Sequence, residues 1–250
     1  MNRVVEVCTY TIEDILIAKE AGAQRVEICA DPHAGGTTPS YGLVQYVVDV
    51  VQLDAAVMIR PRGGDFVYSP EELDIMERDI RWAARAGAKC VVFGVLTESG
   101  RLDRAAMGRL VGAAKEWGLE VTCHRAFDVA REPLQFAREL VELGVDRLLT
   151  SGQKARAVDG LELLAALQRE VGSQLSIMPG VAITSANVDR ILDLGVRELH
   201  LRNEEKVFSS MHRSTDLVMG VEGYEETARV RIDLTETRRI VEAVRRRGAN

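Results

Sequence analysis

Little in this chain suits a polyanionic partner or a membrane. Lys and Arg number 32 against 38 Asp and Glu among 250 residues, a net charge of −6, so no basic surplus exists to hold a nucleic-acid backbone. The one basic run, Arg245-Arg246-Arg247, closes a C-terminal helix, where it complements the helix dipole. No apolar run approaches the roughly 20 residues that span a bilayer. The opening Met1-Asn2-Arg3-Val4 leads straight into a strand, without a signal-peptide layout. The four cysteines, Cys8, Cys29, Cys90 and Cys123, form no Cys-x-x-Cys pair, which argues against a zinc ribbon or a thioredoxin-type motif. Without a leader they read as reduced thiols in the cytoplasm.

What the chain does have is rhythm. Strand-like runs at 3–8, 25–29, 55–60, 90–95, 119–124, 146–150, 175–179 and 197–201 alternate with amphipathic segments near 11–21, 41–51, 70–86, 103–117, 131–143, 155–171 and 184–194, and a last helix lies near 235–247. Glycine recurs just before strands, at Gly22, Gly87, Gly118, Gly144 and Gly195, the residue that closes a helix in the left-handed conformation. Ser69-Pro70-Glu71-Glu72 marks a helix start with a cap, a first-turn proline and a reciprocal Glu. Eight such units without a composition break predict one α/β domain over 1–250, a single (β/α)₈ TIM-type barrel. A doubly wound sheet would show a Gly-rich first turn, and that turn is Cys8-Thr9-Tyr10-Thr11. Two connections are long, Ala30–Ser40 and the polar 202–233 segment before the last helix. The second is expected to be a lid, an interface segment or, above these, mobile chain.

The polar residues collect at strand ends. Glu6-Val7-Cys8 and Glu27-Ile28-Cys29 close the first two strands. Period-two alternation sends Glu6, Cys8, Glu27, Cys29, Arg60, Thr122, His124 and His200 to the barrel interior. If the two cysteines stand at equivalent heights on neighbouring strands about 4.8 Å apart, one soft ion such as Cu(I) can bridge their sulfurs. His200 or His124 would complete a larger ligand set. The bland reading is that the cysteines pack as small hydrophobes. The carboxylates Glu6 and Glu27 are either buried ion-pair partners of Arg60 and Arg62 or a general acid and base, with His124 as a second proton carrier and Asp128 in support. Arg60, Arg62 and the amides of Gly63 and Gly64 form a candidate clamp for a carboxylate or phosphate. Ser151, in Thr150-Ser151-Gly152-Gln153-Lys154, opens a turn of anion-binding type. After the seventh strand, Gly180-Val181-Ala182 offers one glycine where barrels often carry a phosphate-gripping cluster, which counts against a strong phosphate site.

Glu6-Val7-Cys8, Arg25-Val26-Glu27-Ile28-Cys29, Gly35-Gly36-Thr37-Thr38-Pro39-Ser40, Ile59-Arg60-Pro61-Arg62-Gly63-Gly64-Asp65-Phe66, Cys123-His124-Arg125-Ala126-Phe127-Asp128 and Leu149-Thr150-Ser151-Gly152-Gln153-Lys154 together resemble the CutC family of copper homeostasis proteins. The resemblance covers essentially the whole chain. It implies a cytoplasmic TIM-type barrel, a homodimer or higher homo-oligomer, with Cu(I) bound at the positions of Cys8 and Cys29. It brings no organic cofactor and no settled reaction. The alternative is a barrel enzyme that applies acid–base chemistry to a small anionic or sugar-like metabolite.

Overall fold

Runs rich in Val, Ile and Ala become eight short parallel strands: β1 (Val4–Thr9), β2 (Arg25–Ile28), β3 (Asp54–Met58), β4 (Cys90–Phe93), β5 (Glu120–Cys123), β6 (Arg147–Thr150), β7 (Ser176–Pro179) and β8 (Glu198–Leu201). The computed structural model describes residues 3–212, 215, 217, 225 and 227–248. The strands lie in the order β7-β6-β5-β4-β3-β2-β1-β8, and a parallel bridge between Gly180 and His200 joins the two outer strands. The result is the (β/α)₈ barrel that the sequence predicts.

Helices α1 (Ile12–Ala21), α2 (Tyr41–Tyr46), α3 (Pro70–Arg85), α4 (Arg104–Glu116), α5 (Pro133–Glu142), α6 (Leu161–Val171), α7 (Val188–Leu192) and α8 (Leu234–Gly248) surround the strands. Ser69 and Glu72 form the reciprocal capping box expected at the start of α3. The basic end of α8 does more than answer its own dipole. Arg247 pairs with Asp189 (3.1 Å) and Asp193 (2.7 Å) of α7, and Arg245 donates to the carbonyl of Gly22 at the end of α1 (2.9 Å). These contacts tie the last helix to the first and close the ring.

Alternation divides the side chains cleanly. Val5, Val7, Ile28, Val57, Val91, Phe93, Leu148 and Leu199 point outward and are buried beneath the helices. Each such side chain contributes about 1.5–3 kcal/mol. Inside, the lower half of the barrel is filled by an ion network rather than by aliphatic layers. Arg25 pairs with Glu6 and Glu198, while Arg147 pairs with Glu198 (2.7 Å) and Glu120 (2.7 Å). Above it lie Cys8, Cys29, Ala56, Met58, Cys90 and Val92.

Where a polar loop is expected, the described residues of the 202–233 segment include regular structure. Strands β9 (Glu204–Phe208) and β10 (Ala228–Ile232) pair antiparallel at its base. Arg231 joins Glu205 of β9 (2.8 Å) to Glu13 of α1 (3.0 Å), and Ile232 N–H donates to Asp14 (3.0 Å). Cross-strand pairing and these ion pairs supply the order that the polar composition concealed. Most of 213–226 lies outside the described residues.

Candidate functional site

A cavity of about 540 Å³ opens at the C-terminal ends of the strands, the face where barrels build their sites. Cys8, Glu27, Arg60, His124 and His200 all reach it from inward positions. Asp128 also lines it, from the turn after β5.

The thiol end is the most chemically loaded. Donor atoms of Cys8, Glu27 and His200, all buried, lie within 4.8 Å of one another. Register refines the expectation of two cysteines at one height. Cys8 stands level with Glu27, and Cys29 lies further along its strand, where its N–H donates to Thr9 O (2.9 Å). The stagger of strands in a closed barrel produces that offset. Cys29 is not among the three donors that lie mutually within 4.8 Å, but it bears on Cys8 from beside them. A hydrogen bond from Cys29 holds the Cys8 thiol well below its ordinary pKa, with help from His200 and Arg202. Burial, and donation to Cys8, push Cys29 the other way. Its Sγ also lies 3.6 Å from Glu27 Oε2.

His200 is oriented from behind. Its Nδ1 donates to Glu6 Oε1 (2.8 Å), and its Nε2 lies 3.7 Å from Glu27 Oε2. Burial opposes the imidazolium, yet Glu27, Cys8 and Glu6 outweigh it and raise the pKa well above the ordinary value. Glu6 is fully buried, which alone would raise it, but Arg25 and His200 hold it down to about 2. Burial beside the Cys8 thiolate pushes Glu27 well above the carboxylate range. Its Oε1 is buried without a hydrogen-bond partner.

The other wall carries donors. The long connection after β2 folds over Arg60, whose Nη1 donates to Ala34 O (2.6 Å) and Gly36 O (3.0 Å) and whose Nη2 donates to Gly64 O (2.7 Å). Its Nε is buried and has no partner. The guanidinium stacks on Phe66, 4.9 Å from the ring centroid, and Phe66 meets His124 edge-on at 4.9 Å. His124 Nδ1 accepts from Ala126 N–H (3.2 Å). Burial, then the charge of Arg60, push its pKa down to about 3, so the ring is neutral and its proton sits on Nε2. That Nε2 also has no partner. Gly94 makes room for the ring, since a Cβ there would come within 2.8 Å of Nδ1.

Other expected residues are placed differently. Arg62 does not line the cavity; it pairs with Glu72 (2.6 Å) and Asp65 (3.1 Å), because the chain leaves the strand at Pro61 and alternation no longer aims it inward. The carbonyls of Gly63 and Gly64 serve Arg62 and Arg60, and neither glycine is among the lining residues. Ser151 lies between Asp128 Oδ2 (3.0 Å) and the carbonyl of Lys154. Asp128 accepts from Thr150, Ser151, Gln153 and Arg125, which makes it a tie between the ends of β5 and β6. Neither Glu6 nor Glu27 forms an ion pair with Arg60 or Arg62; the partner of Glu6 is Arg25, which the same period-two rule run back from Glu27 places inside the barrel without naming its partner. Arg202 was also missed. It donates to Cys8 O (3.0 Å) and stacks on Tyr10 at 4.4 Å.

No helix among the described residues is long and apolar enough to cross a membrane. The chain matches the model of the CutC family over residues 3–205. A family protein CutC from Bacteroides fragilis is 42% identical over 219 residues, spanning 87% of this chain and 86% of the relative. The copper homeostasis protein cutC homolog of Homo sapiens is 41% identical over 218 residues, 86% of this chain and 79% of the relative. Among solved structures, the copper homeostasis protein CutC of Streptococcus agalactiae superposes with a TM-score of 0.74 at 33% identity, over 79% of this chain and 97% of that one.

Proposed function

Because this chain belongs to the CutC family, we propose that it serves copper homeostasis by binding Cu(I) through Cys8 and Cys29 at the mouth of the barrel. The observation that carries the reading is the buried donor set of Cys8, Glu27 and His200, mutually within 4.8 Å, with the Cys29 thiol acting on Cys8 from beside it. Thiolate and imidazole are the ligands that soft copper selects. Glu6 supports the fit, since a carboxylate on Nδ1 fixes the ring and leaves Nε2 for a metal. Loading would displace the protons held on His200 and Cys29, so binding strengthens as pH rises. All four cysteines are free thiols, as a reducing cytoplasm would keep them. An anaerobic Cu(I) titration against a chromophoric competitor tests the proposal. The expected result is one ion per chain, lost in Cys8→Ser/Cys29→Ser; equal affinity in that double variant overturns it.

The cavity volume favours a second reading, because an ion fills only a small part of 540 Å³. In that reading the barrel processes a small anionic or sugar-like metabolite, with Glu27 as acid or base. Glu6 is locked in ion pairs and Asp128 in hydrogen bonds, so Glu27 is the carboxylate left with an unpartnered oxygen. Turnover of a metabolite that Glu27→Gln abolishes in a folded, metal-free chain would establish it; turnover unaffected by that change would remove Glu27 from the role.

A further inference from the structure

Three buried arginines line the barrel interior or its mouth, and one differs from the others. Arg25 has Glu6 and Glu198, and Arg147 has Glu120 and Glu198. Arg60 is 5% exposed and, among the described residues, has no carboxylate in ion-pair reach. Three backbone carbonyls hold its guanidinium in place without neutralising it. A buried cation left without a counter-ion is costly, and proteins keep one where a ligand supplies the charge.

The free hydrogens on this wall define what that ligand offers. Arg60 Nε–H and His124 Nε2–H are both buried and both unpartnered. Phe66 packs against both side chains and fixes their orientation. Two donors suit the two oxygens of a carboxylate. A phosphate dianion would want more donors than these two free hydrogens supply. The remaining orphan lining the cavity, Glu27 Oε1, suits a hydroxyl, which can donate to it or accept from it.

We infer that the cavity binds a small hydroxycarboxylate of the sugar-acid type, its carboxylate on Arg60 and His124 and a hydroxyl on Glu27. The inference deepens the second reading above, and it is independent of copper. It is tested by calorimetric titration of the metal-free protein with D-gluconate and D-glucuronate, against glucose and glucose 6-phosphate. Both acids should bind at least about tenfold more tightly than glucose, and more tightly than the sugar phosphate. His124→Asn keeps an oxygen for Ala126 N–H but leaves no donor at the Nε2 position, its amide nitrogen falling short of it, and should weaken acid binding by about tenfold. Arg60→Lys retains the charge, loses Nε–H and should weaken it as well. Acids that bind no better than glucose, a tighter sugar phosphate, or an unchanged His124→Asn would each overturn the inference. A chain that binds the acids but consumes none keeps this inference and loses only the enzymatic reading.

Discussion

Replacing Glu6 by Gln tests whether the buried ion network is the keel of the barrel. Glu6 has no exposed surface and pairs with Arg25 and His200. Its pKa lies at about 2 where an unfolded chain would show 4.5. At about 1.4 kcal/mol for each tenfold change in proton affinity, that difference is worth about 3 kcal/mol of folding free energy. The figure agrees with the low end of the cost of stripping one partner from a buried pair, about 3–5 kcal/mol, as expected when Arg25 retains Glu198. The sign follows from the lowered pKa. The contribution is complete above pH 4.5, where the carboxylate is ionised in both states, and is lost as pH falls toward about 2. Urea denaturation of parent and Glu6→Gln should therefore differ by about 3 kcal/mol at pH 7, with the gap narrowing below pH 4.5. A gap under about 1 kcal/mol at pH 7, or one that stays constant through acidification, would refute the reasoning.

Two further outcomes concern the rim. Val181 and Ala182 hold left-handed backbone with φ of 80° and 53°, conformations that disfavour side chains with a Cβ. Replacing either with Gly should raise the melting temperature by about 2–4 °C; calorimetry showing a fall would mean that packing outweighs the strain. Asp128→Asn weakens the hydrogen bonds joining β5 to β6, and chemical denaturation should show a loss of about 2 kcal/mol. A loss below about 0.5 kcal/mol would return Asp128 to the list of acid–base groups.

Barrel and mouth were legible because both follow from period-two alternation within single strands. That pattern alone brings Cys8, Glu27, His124 and His200 inside. Partner identity was not legible, because it depends on the stagger between strands. Arg25 lies opposite Glu6 and Glu27 lies opposite Cys8, and no pattern within one strand shows either pairing. Arg62 marks where the rule stops, at the proline that ends the extended run. The β9–β10 hairpin joins polar segments some twenty residues apart, and its ion pairs with α1 are tertiary, so composition could only suggest a loop.

X-ray absorption of the anaerobically copper-loaded protein tests the central claim most directly. The account predicts a Cu(I) edge and a first shell dominated by sulfur with one imidazole nitrogen, both signals reduced in Cys8→Ser and the nitrogen alone in His200→Gln. A shell of nitrogen and oxygen only, or a spectrum unchanged by loss of Cys8, would contradict it.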